Sequence, residues 1–469
     1  MKRILLTLLL AAFAISMLAA DAHAAAKITV IFNDAQGEGY FDNTPAKRVG
    51  GNPGRTIGEQ RRIAAQFAAD VWGAALESDV EVKIRSSFDP LFCTADSATL
   101  ASAGAVQIFA DFQNAKFANT WYPVALANKL AGIDLAPGAD FTNADDVSSR
   151  FNANIGNTGC FEGGGWYYGL DGKNPANLTD MVNTLIHEFA HGLGFASFVD
   201  ETNGSEIRGM TDTYSRNLKD ISTGRSWEFM TNAERKASAI NFRKVAWTGA
   251  EVTAAVPQVL SLGVPSLIVN SPASIKGAYD VGLADFGPQP TSPGITGDVA
   301  LVNDGVGTAT DGCEPFTGLA GRIALIDRGN CNFTVKAKNA QDAGATAVVI
   351  VNNVAGTAPG LGGSDTSIRI PTVSVSLADG NTIKSQLGVG VNATVGLDTS
   401  RRAGTITENG ISYALVYTPT PVDPGSSVSH YDTSMSPNQT MEPFDTGDAP
   451  NIVSPPYDLS LPLLQDLGW

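Results

Sequence analysis

Histidine and cysteine are scarce in this chain, which has four of each among 469 residues. Four cysteines allow three disulfide connectivities. Cys93 and Cys160 lie in one segment and Cys313 and Cys331 in another, so we expect these two pairs to be bonded. In an exported chain this pairing leaves no free thiolate, which argues against a cysteine nucleophile.

Basic residues are also few: 31 Lys and Arg stand against 47 Asp and Glu, a formal charge of −16. An acidic surface repels phosphate backbones and anionic lipids. We therefore expect no nucleic-acid partner. The acidity could serve solubility or calcium binding, but no Asp-x-Asp-x-Asp-Gly loop is present to make a structural calcium ion a specific prediction.

Long apolar runs are missing. The longest, Ile4 to Leu18, is shorter than the roughly 20 residues that a transmembrane helix needs. Two basic residues precede it and Ala-His-Ala at 22–24 follows it, a pattern typical of a secretory signal peptide cleaved after Ala24. The alternative is an uncleaved anchor. We expect residues 1–24 to be removed, giving a secreted or periplasmic chain with no membrane insertion.

The segment after the leader alternates strand and helix patterns. Lys27–Phe32 is β-branched and apolar, and it predicts a first strand. Thr56 and Glu59 form a capping-box pattern before apolar residues at helical spacing. Val80–Ile84 and Ala105–Phe109 predict further strands. This order predicts an α+β fold in which a helix covers a mixed sheet.

The sequence pattern changes over residues 255–400, where short β-branched runs alternate with Gly-rich turns and two helical patterns. They predict a self-contained α/β module. The module divides a catalytic domain into a first part, 25–254, and a second part, 401–469. In the second part Asn409-Gly410 predicts a β-hairpin, and Tyr457–Trp469 predicts a closing helix.

The motif His187-Glu188-x-x-His191 lies in an apolar helical segment, Asn183–Phe198. Four residues advance about 400° along a helix, so both imidazoles leave one face and can reach one ion. Glu188 can polarise a water without itself ligating. Zinc suits imidazole ligands in a tetrahedral site with an open position. The competing interpretation is a chance pattern on a buried helix.

A catalytic zinc usually has three protein ligands. Signal cleavage removes His23, so His430 is the only remaining histidine that could be the third ligand. An Asp or Glu ligand is the alternative. Thr179 is positioned to cap the motif helix and Gly194 to end it.

The stretches HEFAHGLGF, SVSHYDTSMSPNQTMEP and LQDLGW resemble the metzincin peptidases, particularly the leishmanolysin-like branch. The resemblance implies a zincin catalytic fold with His430 as third ligand, Gly194 as turn glycine and Met441 as the methionine beneath the metal. Met435 is the rival for that position. Most metzincins have their third histidine where this chain has Ser197, whereas the leishmanolysin-like branch separates it by an insertion.

The insertion between Gly194 and His430 is far longer than a surface loop. Its segment Cys313–Asn353, with an Arg-Gly-x-Cys-x-Phe run, resembles a protease-associated (PA) domain. A domain inserted between the ligands explains this length. Because both its ends return to the catalytic core, the resemblance also makes the PA domain a candidate contact for protein substrates.

Together these features predict a secreted zinc endopeptidase that acts on proteins or peptides, with one zinc ion and Glu188 as general base. Tyr431 could supply a phenol to the oxyanion, or it could simply be packed. Three alternatives are open: a zinc exopeptidase, a non-catalytic protein that binds through the PA domain, and a metallohydrolase of another substrate class.

Overall fold

The computed structural model describes residues 24–136, 145–445 and 447–469. The predicted leader, apart from Ala24, lies outside the described residues. Within these ranges no helix is long and apolar enough to cross a membrane. The chain divides into two compact units: residues up to Leu260 together with Gly404–Trp469, and Ser261–Ala403.

Helices occur in both units. In chain order they are α1 (Ile57–Ala75), α2 (Val124–Ala131), α3 (Met181–Leu193), α4 (Asn232–Ser238), α5 (Ala250–Val259), α6 (Phe333–Asp342), α7 (Leu377–Gln386) and α8 (Ser460–Leu467). Of these, α6 and α7 belong to the second unit.

Strands are more numerous and mostly short. Those of the first unit before the insertion are β1 (Ile28–Phe32), β2 (Val82–Asp89), β3 (Ala101–Ala105), β4 (Ile108–Phe109), β5 (Thr120–Pro123), β6 (Val147–Asn152), β7 (Trp166–Tyr167), β8 (Thr179–Asp180), β9 (Thr211–Asp212), β10 (Leu218–Asp220), β11 (Arg225–Ser226) and β12 (Val245–Trp247). The second unit has β13 (Leu262–Ser271), β14 (Gly277–Asp280), β15 (Gly282–Leu283), β16 (Ile295–Leu301), β17 (Ile323–Asp327), β18 (Ala347–Val351), β19 (Thr372–Val375) and β20 (Asn392–Arg402), and the first unit resumes with β21 (Thr405–Glu408) and β22 (Ile411–Leu415).

The main sheet of the first unit has the order β1-β2-β6-β3. Its first three strands are parallel, and β3 pairs antiparallel with β6 at the edge. Helix α1 starts with the predicted capping box, since Thr56 and Glu59 each accept from the other's backbone N–H. Helices α1 and α3 pack together, and the buried Trp72 indole donates to the Ile186 carbonyl at 2.9 Å.

The strand predicted at Ala105–Phe109 is wrong as a single element. Strand β3 ends at Ala105, and Ile108–Phe109 pairs with β5 in another sheet. Between them the Val106 N–H donates to the Asp146 carbonyl at 2.9 Å. An apolar run can therefore leave one sheet and enter the next without a Gly or Pro to mark the turn.

The second unit has one sheet of order β14-β13-β20-β16-β17-β18-β19-β15, whose strands β16 to β19 are parallel. It begins at Ser261 and not at residue 255. The reason is that Val252 and Val256 of α5 are buried in the hydrophobic core of the first unit. The inserted α/β module is present with this shifted boundary.

The second part of the first unit contains the predicted hairpin. Asn409 and Gly410 both have positive φ, 52° and 82°, as a type I′ turn requires. Helix α8 begins at Ser460 and not at Tyr457, and it buries Leu463, Leu464 and Leu467. Both expected disulfides, Cys93–Cys160 and Cys313–Cys331, are bonded.

Candidate metal centre

Helix α3 carries the His-Glu-x-x-His motif between two defined ends. The Asp180 carboxylate caps it by accepting from the Val182 and Asn183 N–H groups at 2.8 and 3.1 Å. The cap predicted at Thr179 is therefore wrong by one residue. A carboxylate caps as well as a hydroxyl does, and its charge favours the helix N-terminus. At the other end Gly194 has φ of 129°, a conformation that glycine adopts without strain.

The structure brings the three predicted imidazoles together. The Nε2 atoms of His187 and His191 are 3.0 Å apart, those of His187 and His430 are 3.1 Å apart, and those of His191 and His430 are 3.2 Å apart. For zinc–nitrogen bonds of 2.0–2.1 Å, a tetrahedral site places its ligand nitrogens about 3.3–3.4 Å apart. The observed triangle is slightly smaller than this, and its size fits one ion.

The second nitrogen of each ring shows which atoms can bind a metal. The Nδ1 atoms of His187, His191 and His430 donate to the carbonyls of Thr440, Phe195 and Ser426 at 2.7, 2.7 and 2.8 Å. A carbonyl only accepts, so each Nδ1 carries the proton and each Nε2 presents a lone pair. Three lone pairs facing one another repel unless a cation lies between them. This donor set fits zinc.

Burial sets the charge of these rings. It lowers the pKa of His187 to about 4 and that of His191 to about 3, where the neighbouring His187 contributes as well. The pKa of His430 is lowered well below its usual range, mainly by burial. The three imidazoles are therefore neutral at pH 7, which is the form that binds metals.

Glu188 directly follows the first ligand, His187, in the sequence, and one oxygen of its carboxylate has no protein partner among the described residues. The residue is 6% exposed, and the oxygen without a hydrogen-bond partner there is Oε2. Burial raises its pKa to about 8. A nearby cation or a bound water would stabilise such a carboxylate, so its placement fits a role next to a metal.

Of the two methionines considered for the site, Met441 directly follows Thr440, whose carbonyl accepts from His187. Met441 is fully buried. Met435 instead packs against Gly404, where the Cβ of any larger residue would lie 2.5 Å from the Met435 Cγ. That Met441 is the methionine beneath the metal remains a prediction, and its position next to Thr440 favours it over Met435.

Tyr431 does not have the role suggested for its phenol. The side chain is fully buried, and its hydroxyl donates to the Leu459 carbonyl at 3.0 Å. Its ring packs edge-on against Phe195 at 5.1 Å between centroids. A hydroxyl engaged in this way does not meet a substrate oxyanion, so Tyr431 is a packing residue next to a candidate ligand.

A second group of potential metal ligands, all of them acidic, lies in the inserted unit. Carboxylate oxygens of Asp304, Asp311 and Glu314 lie within 4.8 Å of one another. The buried Lys336 ammonium donates to the Asp311 carbonyl in the same place. This cation offsets part of the carboxylate charge, so the cluster by itself does not indicate a structural calcium ion.

Known proteins resemble this chain over parts of its length. It is 29% identical over 203 residues to the minor extracellular protease Vpr of Bacillus subtilis, covering 41% of this chain and 24% of that protein. It is 35% identical over 96 residues to vacuolar-sorting receptor 1 of Pisum sativum, covering 19% of this chain and 15% of the receptor. It is 38% identical over 102 residues to leucine aminopeptidase 2 of Arthroderma otae, covering 22% of this chain and 20% of that enzyme.

These matches span less than a quarter of each relative's own length. Among solved structures, the aminopeptidase from Aneurinibacillus sp. strain AM-1 is 28% identical and covers 30% of this chain and 31% of that chain, with a TM-score of 0.23. A TM-score this low does not define a shared fold. The profile of the PA domain matches residues 295–383. The inserted α/β unit, as the sequence predicted, therefore contains a PA domain.

Proposed function

We propose that this chain is a secreted zinc-dependent peptidase, in which His187, His191 and His430 hold the metal and Glu188 is the general base. The observation that carries the proposal is the convergence of three Nε2 lone pairs to within 3.0–3.2 Å. Peptidases named among the partial relatives support the substrate class.

A bound zinc ion would polarise the scissile carbonyl and lower the pKa of a water molecule. Glu188 then accepts a proton from the attacking water and returns it to the leaving amine. The partnerless Oε2 of Glu188 supports this role because it has an unused acceptor. The carbonyls of Thr440, Phe195 and Ser426 keep the imidazoles oriented throughout.

The edge of the main sheet supports a peptide substrate. Strand β3 packs against α3, and across the described ranges no strand pairs with its outer side. An extended peptide can add to such an edge through main-chain hydrogen bonds. We propose that the substrate runs along β3 past the motif helix.

A metzincin-like catalytic fold stays part of the proposal, with Gly194 ending the helix and Met441 beneath the metal. The relatives give no support to the leishmanolysin-like branch in particular. The proposal instead depends on His430 as the distant third ligand. A structural calcium ion is not included.

The relatives favour an exopeptidase over the endopeptidase predicted from the sequence, because one is named a leucine aminopeptidase. We expect an unblocked peptide to lose residues stepwise from its N-terminus and an N-acetylated copy to resist cleavage. Mass spectrometry of the products over time tests this. Internal fragments from the acetylated copy would establish an endopeptidase instead.

Removal of zinc is expected to abolish hydrolysis and lower the melting temperature. Zinc at a thousandfold excess over its Kd stabilises a folded protein by about 4.1 kcal/mol. Both effects are measured by calorimetry and by hydrolysis of an unblocked peptide, before chelation, after chelation and after zinc is returned. Full hydrolysis by the zinc-free chain would refute the proposal, whereas bound zinc without turnover would favour the non-catalytic binding alternative.

We also propose export through the predicted leader. The two disulfides are typical of an oxidising compartment, and one partial relative is named an extracellular protease. Substrate contact by the PA domain is a further part of the proposal.

A further inference from the structure

The backbone just before His430 has an unusual conformation. Val428 has φ of 69°, in the left-handed region that β-branched residues rarely adopt. Among the described residues with positive φ it is the only β-branched one. Such a conformation persists only when surrounding contacts hold it, so neighbouring groups must fix Val428 in place.

Within the segment the Ser429 N–H donates to the Ser427 carbonyl at 2.8 Å. Three hydrogen bonds join Val428 and Ser429 to other parts of the chain. The Tyr214 hydroxyl donates to the Val428 carbonyl at 2.9 Å, and the Val428 N–H donates to the Tyr417 carbonyl at 2.7 Å. The Ser197 N–H donates to the Ser429 hydroxyl at 3.1 Å. Only the first of these comes from a side-chain donor, so it can be removed by substitution without changing the backbone.

Tyr214 also contacts Phe195, the residue whose carbonyl orients the second proposed ligand, His191. Its ring packs against Phe195 at 5.6 Å between centroids, and the Phe195 carbonyl accepts from His191 Nδ1. The segment that carries Tyr214 is itself fixed, because the buried Asp212 carboxylate accepts from the N–H groups of Phe198 and Ser215 at 2.9 and 2.6 Å. One buried tyrosine thus connects the surroundings of His191 and His430.

We propose that Tyr214 is a positioning residue for the metal centre, whose hydroxyl holds Val428 in its left-handed conformation and thereby keeps His430 in place. The inference rests on the proposed zinc site. Without the hydroxyl, Val428 relaxes toward negative φ and carries the neighbouring His430 away from the other two imidazoles. Glycine at position 428 adopts positive φ freely, so it makes the hydroxyl unnecessary.

A double-mutant cycle of Tyr214→Phe and Val428→Gly tests this, with zinc affinity measured by competition against a chromophoric chelator. Tyr214→Phe is expected to weaken zinc binding by about 10-fold, the lower end of what outer-shell substitutions cost. In the Val428→Gly background the same change is expected to cost less than about 2-fold. A purely structural loss would be similar in both backgrounds.

Tyr40→Phe is the matched control. Tyr40 is as deeply buried as Tyr214, and its hydroxyl bonds to the Ser86 hydroxyl at 2.7 Å, so it loses a comparable hydrogen bond away from the ligand segments. We expect unchanged zinc affinity in this variant.

The outcomes separate the two proposals. A wild-type chain that binds no zinc overturns the proposed function and this inference with it. A wild-type chain that binds zinc, with Tyr214→Phe binding equally tightly or losing the same factor in both backgrounds, overturns only the role of Tyr214. If Tyr214→Phe alone is unfolded, the Val428→Gly pair still decides: equal affinities within that pair support the role, and a 10-fold loss there contradicts it.

Discussion

Replacing Glu188 by glutamine is expected to lower peptide hydrolysis by at least ~10²-fold, the usual contribution of a general base, while the protein keeps its zinc. Glutamine has nearly the same shape as glutamate, and the three proposed metal ligands are unchanged by the substitution. We therefore expect zinc affinity to be retained. The rate at saturating substrate and the zinc content per chain measure the two effects. The zinc content separates a lost proton acceptor from a lost metal.

Glu442→Gln is the matched control for this substitution. Glu442 is 4% exposed and burial raises its pKa to about 8, as for Glu188. Its Oε1 atom, however, accepts from the Gln439 N–H at 2.8 Å, a hydrogen bond that the amide oxygen of glutamine can also accept. We expect near-wild-type turnover. Normal turnover of Glu188→Gln with zinc bound would remove Glu188 from the mechanism.

Replacing His430 by alanine is expected to weaken zinc binding by more than ~10²-fold, since outer-shell groups alone contribute 10–100-fold. Hydrolysis should fall with it. The remaining two imidazoles leave an incomplete donor set, which does not compete with chelators for the ion. The result is measured by the zinc content after dialysis against a weak chelator and by hydrolysis of an unblocked peptide.

The contrast with Glu188→Gln makes the His430 experiment specific. One variant should lose the metal and the other should keep it, although both lose activity. If His430→Ala retained stoichiometric zinc at wild-type affinity, a carboxylate would have to be the third ligand. That alternative was open from the sequence, because Asp and Glu are abundant in the chain.

The elements that the sequence predicts well are those defined by local chemistry. The capping box of Thr56 and Glu59 and the turn at Asn409-Gly410 form as expected. Each depends on residues within a few positions of one another, so the local sequence is enough to predict the structure that forms. The motif helix is also predictable from local sequence, because helical spacing alone places both of its histidines on one face.

The features that the sequence does not reveal depend on contacts between distant segments. The carbonyl of Thr440 orients His187 across 253 positions, and a main-chain carbonyl has no signature in a sequence. The phenol of Tyr431 is directed to Leu459 by packing. The helix cap depends on neighbouring residues but is still ambiguous in the sequence, because Thr179 and Asp180 both suit an N-cap. The folded structure places Asp180 in that position.

The position of His430 also has a consequence for synthesis. It comes 239 residues after His191, with the whole inserted unit between them, so a nascent or truncated chain that ends anywhere inside that unit has two imidazoles and no third. Assembly of the proposed centre therefore requires that translation has passed residue 430. An incomplete product would be inert toward neighbouring proteins in the producing cell.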